Sequence, residues 1–403
     1  MWEIPNALPG GTIMADPQFK TEPIGKLGII ALQGCEEMAR KINYYLVNSR
    51  KDRPNDHFEG YHKDSYIIDA QFVRFGTGEG KCVIHESVRG YDIFILCDPF
   101  NWGVTYNMYG TEHHMGPDEH YADLKRALSA IEGKAKRITV LMPMLYEGRQ
   151  HKRTARESLD CADMLREICY GYDVENIITF DAHDPRVQNA IPQKGFESIQ
   201  PSYQFVKALC RNVSDIQIDN EHMMIVSPDE GGMGRCISLA SILGLELGAF
   251  YKLRDYTKVV NGSNPILRHE FLGDSIGGKD VIVIDDMISS GGSMIEVAVK
   301  LKQIGAKRIF VYSSFGLFCN GFEEFDKAYA DGLIDRVFTT NLIYNSPELL
   351  SKPWYVNIDM SKYCAYIVDT LNHDESLSSL LDPRDRIYNK LAEYGFGPLA
   401  EKK

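Results

Sequence analysis

The chain has 403 residues, more than one hydrophobic core usually serves, so two domains, or one domain with substantial additions, are expected. It is 44% hydrophobic and 25% charged, which excludes a disordered or low-complexity chain. With 56 acidic against 44 basic residues the net charge is −12, which argues against a general nucleic-acid binder, because that affinity comes from clustered Lys and Arg.

In chain order, short apolar runs fall at 27–32, 92–96, 138–142, 177–180, 223–226, 281–284, 309–312 and 337–339, each followed by a helix-length mixture of polar and apolar residues. Runs apolar on both faces suit buried parallel strands, and their alternation with helical segments implies an α/β fold. The clearest unit is the strand 281–284, the small-residue turn Ser289 to Ser293, a helix from Met294 to Ile304 closed by Gly305, and the strand 308–312. A similar pattern runs from Ile138 through Cys161 to Phe180, so two comparable α/β halves are expected, joined near 190–205. The stretches 97–117 and 255–274 are expected to be irregular, as are both ends.

No apolar run approaches the roughly 18 residues of a membrane span. The first 23 residues lack the pattern of a secretory signal, and the nine cysteines are scattered with no CxxC pair. A cytoplasmic protein with reduced thiols and no membrane partner is therefore expected.

The strongest local signal is the run from Val281 to Ser293. An apolar strand delivers Asp285 and Asp286 to its carboxyl edge, where ligands of open α/β sheets bind. The following turn, Ser289, Ser290, Gly291, Gly292 and Ser293, leads into a helix whose first backbone N–H groups can hold a phosphate. Two acids beside a phosphate loop are good acceptors for vicinal sugar hydroxyls, directly or through a metal, so the parts together describe a sugar-phosphate site. The competing reading is a helix N-cap flanked by two solvated acids.

A second strand, 177–180, ends in Asp181, Ala182, His183 and Asp184, where carboxylates and one imidazole could bind Mg²⁺. A hydrogen-bonded structural histidine is the alternative for His183. A third strand, 223–226, ends in Ser-Pro-Asp229-Glu-Gly-Gly, whose simpler reading is a turn. Basic groups at Arg149, Lys152, Arg153, Arg156, Lys252 and Arg254 follow strands and match polyphosphate neutralisation. No GxxxxGK[ST] is present, so a P-loop nucleotide site is not available.

Taken together and in this order, these motifs resemble the ribose-phosphate pyrophosphokinase family from about Leu27 to Leu381. Arg74-Phe75-Gly-Thr-Gly-Glu79 and Glu86-Ser-Val-Arg-Gly90 resemble its early ATP-contacting segment, and Arg149-Gln150 its Arg-Gln pair. Asp181-Ala-His183 resembles its metal-binding histidine segment, and the motif around Asp229 its second metal-linked one. Lys252 and Arg254 fall where the family has a mobile Lys-x-Arg, and 285–293 resembles the ribose-phosphate loop shared with phosphoribosyltransferases.

The resemblance implies two type I phosphoribosyltransferase-like domains with mainly parallel sheets. They would span 25–200, with 366–382 returning to the first, and 201–365, with terminal extensions at 1–24 and 383–403. It implies transfer of the diphosphoryl group of ATP to O1 of ribose 5-phosphate, with Mg²⁺, in a self-associating dimer or hexamer whose ATP site is shared between subunits. Lys252, Arg254 and His183 would be catalytic, with Mg²⁺ near His183 and Asp229. Phe75, Glu79, Arg149, Gln150 and Arg156 would bind ATP. Asp285, Asp286 and Ser289 to Ser293 would hold ribose 5-phosphate.

The chain departs from the family at Thr77 and His151, where acids are usual, and at Ser289, which replaces the phosphate-loop aspartate. Its stretches 97–117 and 255–274 are longer than the family's. The first is rich in aromatics, and a packing or subunit-contact role is expected for it rather than a metal cluster of His113, His114 and His120; the second is expected to be an enlarged mobile lid. A non-catalytic homologue that regulates an active synthetase, and a phosphoribosyltransferase, are the alternative functions.

Overall fold

The computed structural model describes residues 19–55, 57–153, 155–254 and 266–397, with the side chains of 252–254 and 266–269 left aside. The first half begins with β1 (Lys26–Ala31), α1 (Glu36–Arg50), β2 (Ala70–Arg74), β3 (Gly80–Ile84) and β4 (Tyr91–Leu96). It continues through β5 (Thr105–Met108), β6 (Thr111–His114), α2 (Pro117–Ile131), β7 (Arg137–Leu141), α3 (Asp160–Arg166), β8 (Asn176–Phe180) and β9 (Gly195–Ile199). Strands β1, β4, β7, β8 and β9 form a parallel sheet in that spatial order, while β2–β3 and β5–β6 are separate antiparallel hairpins.

The second half contains α4 (Ser202–Asn212), β10 (Met223–Ser227), α5 (Met233–Leu243), β11 (Glu246–Arg254), β12 (Ile266–Leu272), β13 (Asp280–Ile288) and α6 (Gly292–Gln303). It then runs through β14 (Ile309–Gly316), α7 (Glu323–Ala330), β15 (Arg336–Thr340), α8 (Pro347–Ser351) and β16 (Tyr355–Ile358). The order across this sheet is β12-β11-β10-β13-β14-β15-β16, parallel throughout except for the β11–β12 pair. From β10 the chain goes to β11 on one side and to β13 on the other. A crevice at such a reversal, beyond the carboxyl ends of the strands, is where open α/β sheets bind ligands.

Every residue of β10 and β14 is buried, which explains why both read as continuous apolar runs rather than alternating ones. One core joins the halves: Leu141, Ile178 and Phe180 of the first sheet belong to the same cluster as Met223, Ile282 and Phe310 of the second. The last helices are α9 (Ser361–Asn372), α10 (Ser378–Leu381) and α11 (Arg384–Glu393). α9 lies against α1, where buried Arg50 donates to Asp369 at 2.6 and 2.8 Å and to Asn372 at 2.7 Å.

Four sequence expectations are corrected here, the first being the irregular C-terminal end, of which Arg384–Glu393 is helix α11. The 97–117 stretch is not irregular: it folds into β5–β6, whose turn uses left-handed residues at Tyr109 (φ 49°) and Gly110 (φ 79°), as tight hairpins require. Part of the presumed lid, 266–272, is strand β12 paired with β11, while 255–265 lie outside the described residues. Strand β13 runs on to Ile288, so Asp285 and Asp286 sit in its last turns of pleat and not past its end.

Candidate functional site

The site is assembled at the crevice between β10 and β13, facing the carboxyl end of β8. Asp181, directly after β8, adopts a left-handed backbone (φ 38°), an uncommon conformation for a residue with a side chain. It is fixed by its own N–H, which donates to the Ile199 carbonyl at 2.9 Å, and by Ala182 N–H donating to Ser198 Oγ at 3.0 Å. Two residues on, His183 crosses to the other half, and its Nδ1 donates to Asp286 Oδ2 at 2.6 Å. That bond raises the imidazole's pKa, outweighing the opposing effect of burial.

Beneath this pair lies a group that motif reading passed over. Arg235, in the first turn of α5, donates from Nε to Asp181 Oδ1 at 3.1 Å and lies 3.5 Å from Asp285 and 3.9 Å from Asp286. Asp181 is completed by Gln200 Nε2 at 2.9 Å and Ser314 Oγ at 2.7 Å. One guanidinium thus serves three carboxylates drawn from both halves. Burial works against its charge, but Asp181, Asp286 and Asp285 together raise its pKa.

The carboxylates respond in opposite directions. Burial, then the neighbouring Asp286 charge, pushes Asp285 well above the ordinary carboxylate range. Burial also acts upward on Asp286, yet the His183 bond and Arg235 carry it below its usual value. Asp181, fully enclosed, is raised chiefly by burial in spite of Arg235. The sequence did contain a clue to Arg235: a cation in a helix's first turn opposes the helix dipole and needs acids nearby to offset it.

Beyond β13, the 289–293 turn enters α6 with Gly291 as its N-cap at φ 90°, and no side chain caps the helix. Of the competing reading, a helix N-cap flanked by two solvated acids, the cap forms with glycine in that place, while Asp285 is half-buried and Asp286 buried rather than solvated. Glycine is required at 291 twice over, by its backbone and because a Cβ would lie 2.3 Å from the Phe325 ring. The outcome is a twelve-residue helix whose first amides are not used by a capping side chain, close in sequence to two acids at a sheet crevice.

A cavity of about 240 Å³ adjoins these groups, lined among others by Arg149, Gln150, Asp181, His183 and Asp286. Of the residues expected at the site, His183, Asp286, Arg149 and Gln150 are thus brought together. Asp229 does not line this cavity; its Oδ1 accepts from Gly232 N at 3.2 Å, and its charge is felt at Asp285. His151 lies 3.5 Å from Asp184. Arg156 is exposed and does not line the cavity, and neither do Phe75 and Glu79, which sit at the turn of the β2–β3 hairpin. Lys252 and Arg254 are in β11, paired across to His269 and Ile266, and their side chains lie outside the described residues. Among the described residues no three His, Cys, Asp or Glu side chains gather as a metal cage, and His120 is buried against the Asn101 carbonyl at 2.9 Å. Nor is any described helix long and apolar enough to cross a membrane.

Comparison with known proteins agrees with this architecture. The family model for the N-terminal domain of ribose phosphate pyrophosphokinase matches residues 27–169, and that for the phosphoribosyl transferase domain matches 192–347. A ribose-phosphate pyrophosphokinase of Vibrio parahaemolyticus is 27% identical over 322 residues, covering 78% of this chain and 91% of that protein. One of Pasteurella multocida is 28% identical over 319 residues, covering 77% and 90%. The crystal structure of phosphoribosylpyrophosphate synthetase from Mycobacterium smegmatis shares the fold, with a TM-score of 0.68 at 20% identity over 87% of this chain and 99% of that one. With both domain models matched in order and relatives aligned along most of its length, the chain belongs to the ribose-phosphate pyrophosphokinase family.

Proposed function

We propose that this chain transfers the diphosphoryl group of ATP to O1 of ribose 5-phosphate, giving AMP and 5-phosphoribosyl 1-diphosphate. The observation that carries this reading is the acid pair near the end of β13 at the β10–β13 crevice, followed after a short turn by the N-terminus of α6, which no side chain caps. The amides of 291–293, together with the Ser289, Ser290 and Ser293 hydroxyls, suit the 5-phosphate, and Asp285 and Asp286 suit the 2- and 3-hydroxyls of the ring. Held at both ends, the sugar presents O1 towards the β-phosphorus. O1 gives up its hydroxyl proton, ultimately to water, and forms the new bond to that phosphorus, while the bond from the phosphorus to the oxygen bridging the α-phosphorus breaks and AMP leaves with that oxygen. Positioning and charge neutralisation dominate such a transfer.

Lys252 and Arg254 are our candidates for neutralising charge on the transferring group, and Arg149 and Gln150 for contacting ATP from the cavity wall. Arg156, Phe75 and Glu79 are kept as ATP-site residues. Phe75 and Glu79, on a hairpin outside the cavity, fit an ATP site completed between two copies of the chain, as a self-associating dimer or hexamer provides.

The residues fit Mg²⁺ in the way that ion is usually held, by one or two protein groups with phosphates and water supplying the rest, so the missing three-ligand cage is no obstacle. With Nδ1 committed to Asp286, His183 has Nε2 left for the ion, and Asp229 is the second candidate. When bound, Mg²⁺ would neutralise phosphate charge. We also infer a cytoplasmic protein, consistent with nine cysteines of which none forms a disulfide. The division at residue 200 is supported by the change of sheet between β9 and β10, and the assignment of 366–382 to the first domain by the α1–α9 contact.

Incubation of the purified chain with Mg²⁺, ATP and ribose 5-phosphate tests the reading. Equal amounts of AMP and 5-phosphoribosyl 1-diphosphate are expected. AMP formation only with an added synthetase would favour the regulatory homologue, and consumption of supplied 5-phosphoribosyl 1-diphosphate with a base would favour the transferase.

A further inference from the structure

The β5–β6 hairpin occupies Thr105 to His114. It leans on the other small hairpin, β2–β3, whose turn carries Phe75 to Glu79. Tyr109 N–H at its tip donates to the Gly76 carbonyl at 2.9 Å. Met108 is packed so closely over Gly78 that a Cβ there would lie 2.7 Å from its sulfur. Lower down, the Arg74 guanidinium lies 5.5 Å from the Tyr106 ring centre, and Tyr106 Oη donates to Glu119.

The hairpin is itself firmly rooted. Met115 N–H donates to the Val104 carbonyl at 2.8 Å across its base, and Trp102 meets Tyr344 of the second half edge to face at 5.6 Å. The strands of β2–β3, a two-stranded ribbon outside the main sheet, lie against α2 and the first-half core through Phe72, Cys82 and Ile84, but the ribbon's turn projects beyond them. The end of β2 next to its turn is tied by Arg74, which donates to both Asp123 oxygens at 2.6 and 2.7 Å. The turn, with Phe75 half exposed, is met by Tyr106, Met108 and Tyr109 of the β5–β6 hairpin.

We propose that the β5–β6 hairpin is a positioning element for ATP: it holds the Phe75–Glu79 turn ready for the base, so that less order has to be gained when the nucleotide binds. The inference rests on the reading of Phe75 as a base contact. Its physical basis is preorganisation, since a turn already fixed loses little conformational entropy on binding.

The test replaces residues 105–114 by Asn-Gly in the full chain, closing the hydrogen-bonded Val104–Met115 pair with a tight turn and leaving Arg74–Asp123 intact. The expected result is a KM for ATP raised about tenfold, with kcat and the KM for ribose 5-phosphate within about twofold of the parent. Amide hydrogen exchange at 76–79 should accelerate in the same variant. Met108→Ala, which keeps the hairpin, should shift both readouts in the same direction by less, so a folding failure of the truncation would not shield the idea. An unchanged ATP KM in both variants overturns the proposal. Phe75→Ala locates the fault: a raised KM there with none in the truncation means the hairpin does not position the turn, and no change in any variant means Phe75 is not a base contact, and the proposal falls with it.

Discussion

Arg235→Leu should be costly in a way that depends on pH. The substitution takes the cation from Asp181, whose side chain is 2% exposed, and from Asp285 and Asp286 beside it. Removing one partner of a buried ion pair typically costs about 3–5 kcal/mol, because the other charge stays behind without compensation. Asp181 has one escape, which is to take up a proton. Its carboxyl is already raised by burial, and loss of Arg235 raises it further. A folded-state value above the unfolded one means that the folded form keeps a proton the unfolded chain releases. The associated stability is present in full below the unfolded value and is lost as pH rises through the folded one. The deficit should therefore be about 3 kcal/mol or more at pH 8 and smaller at a pH close to the ordinary carboxylate range, about 4 to 5. Urea unfolding of parent and variant at the two pH values measures it. Adding Asp181→Asn should recover at least half of the loss, because an amide can still accept from Gln200 and pair with the Ser314 hydroxyl without a buried charge. A deficit below about 1 kcal/mol at pH 8, or no recovery in the double variant, would refute the view that Arg235 is the shared counter-ion of these acids.

Three further outcomes are expected. Gly291→Ala forces a side chain into a left-handed residue and against Phe325, so the KM for ribose 5-phosphate should rise by about tenfold or more through distortion of the α6 N-terminus; unchanged steady-state kinetics would remove that loop from the site. Lys252→Ala should lower kcat by about 10² to 10³ while leaving the melting temperature nearly unchanged, and near parental turnover at saturating substrates would show that Lys252 is not used. Asp98 accepts from Phe100 N at 3.0 Å and from Tyr344 N of the other half at 2.7 Å, yet burial pushes its carboxyl up to about 7. Stability associated with it is therefore fullest below about pH 4 and declines as pH rises through 7, so the drop in melting temperature between pH 5 and pH 8 should shrink in Asp98→Asn.

The sequence by itself determined the parallel α/β character, because strands buried on both faces have to be apolar at every position, as 223–226 and 309–312 are. It also located the chemistry wherever that chemistry is local: two acids on one strand, a small-residue turn and a helix start are neighbours in the chain before they are neighbours in space. Tertiary structure alone decided what those groups face. His183 and Asp286 are 103 residues apart and Arg235 and Asp181 are 54 apart, and no local pattern encodes such pairings. The same holds for the antiparallel pieces. The β5–β6 hairpin and β12 lack a continuous apolar run, since each has a face that packs on another hairpin or at the edge of a sheet, and their short strands resemble loops until the partner is present. The serines of 289–293 make the division plainest. Their sequence offers several residues that can cap α6, and only the packing decided that the left-handed Gly291, held against Phe325, takes that place and leaves the first amides of α6 without a capping side chain.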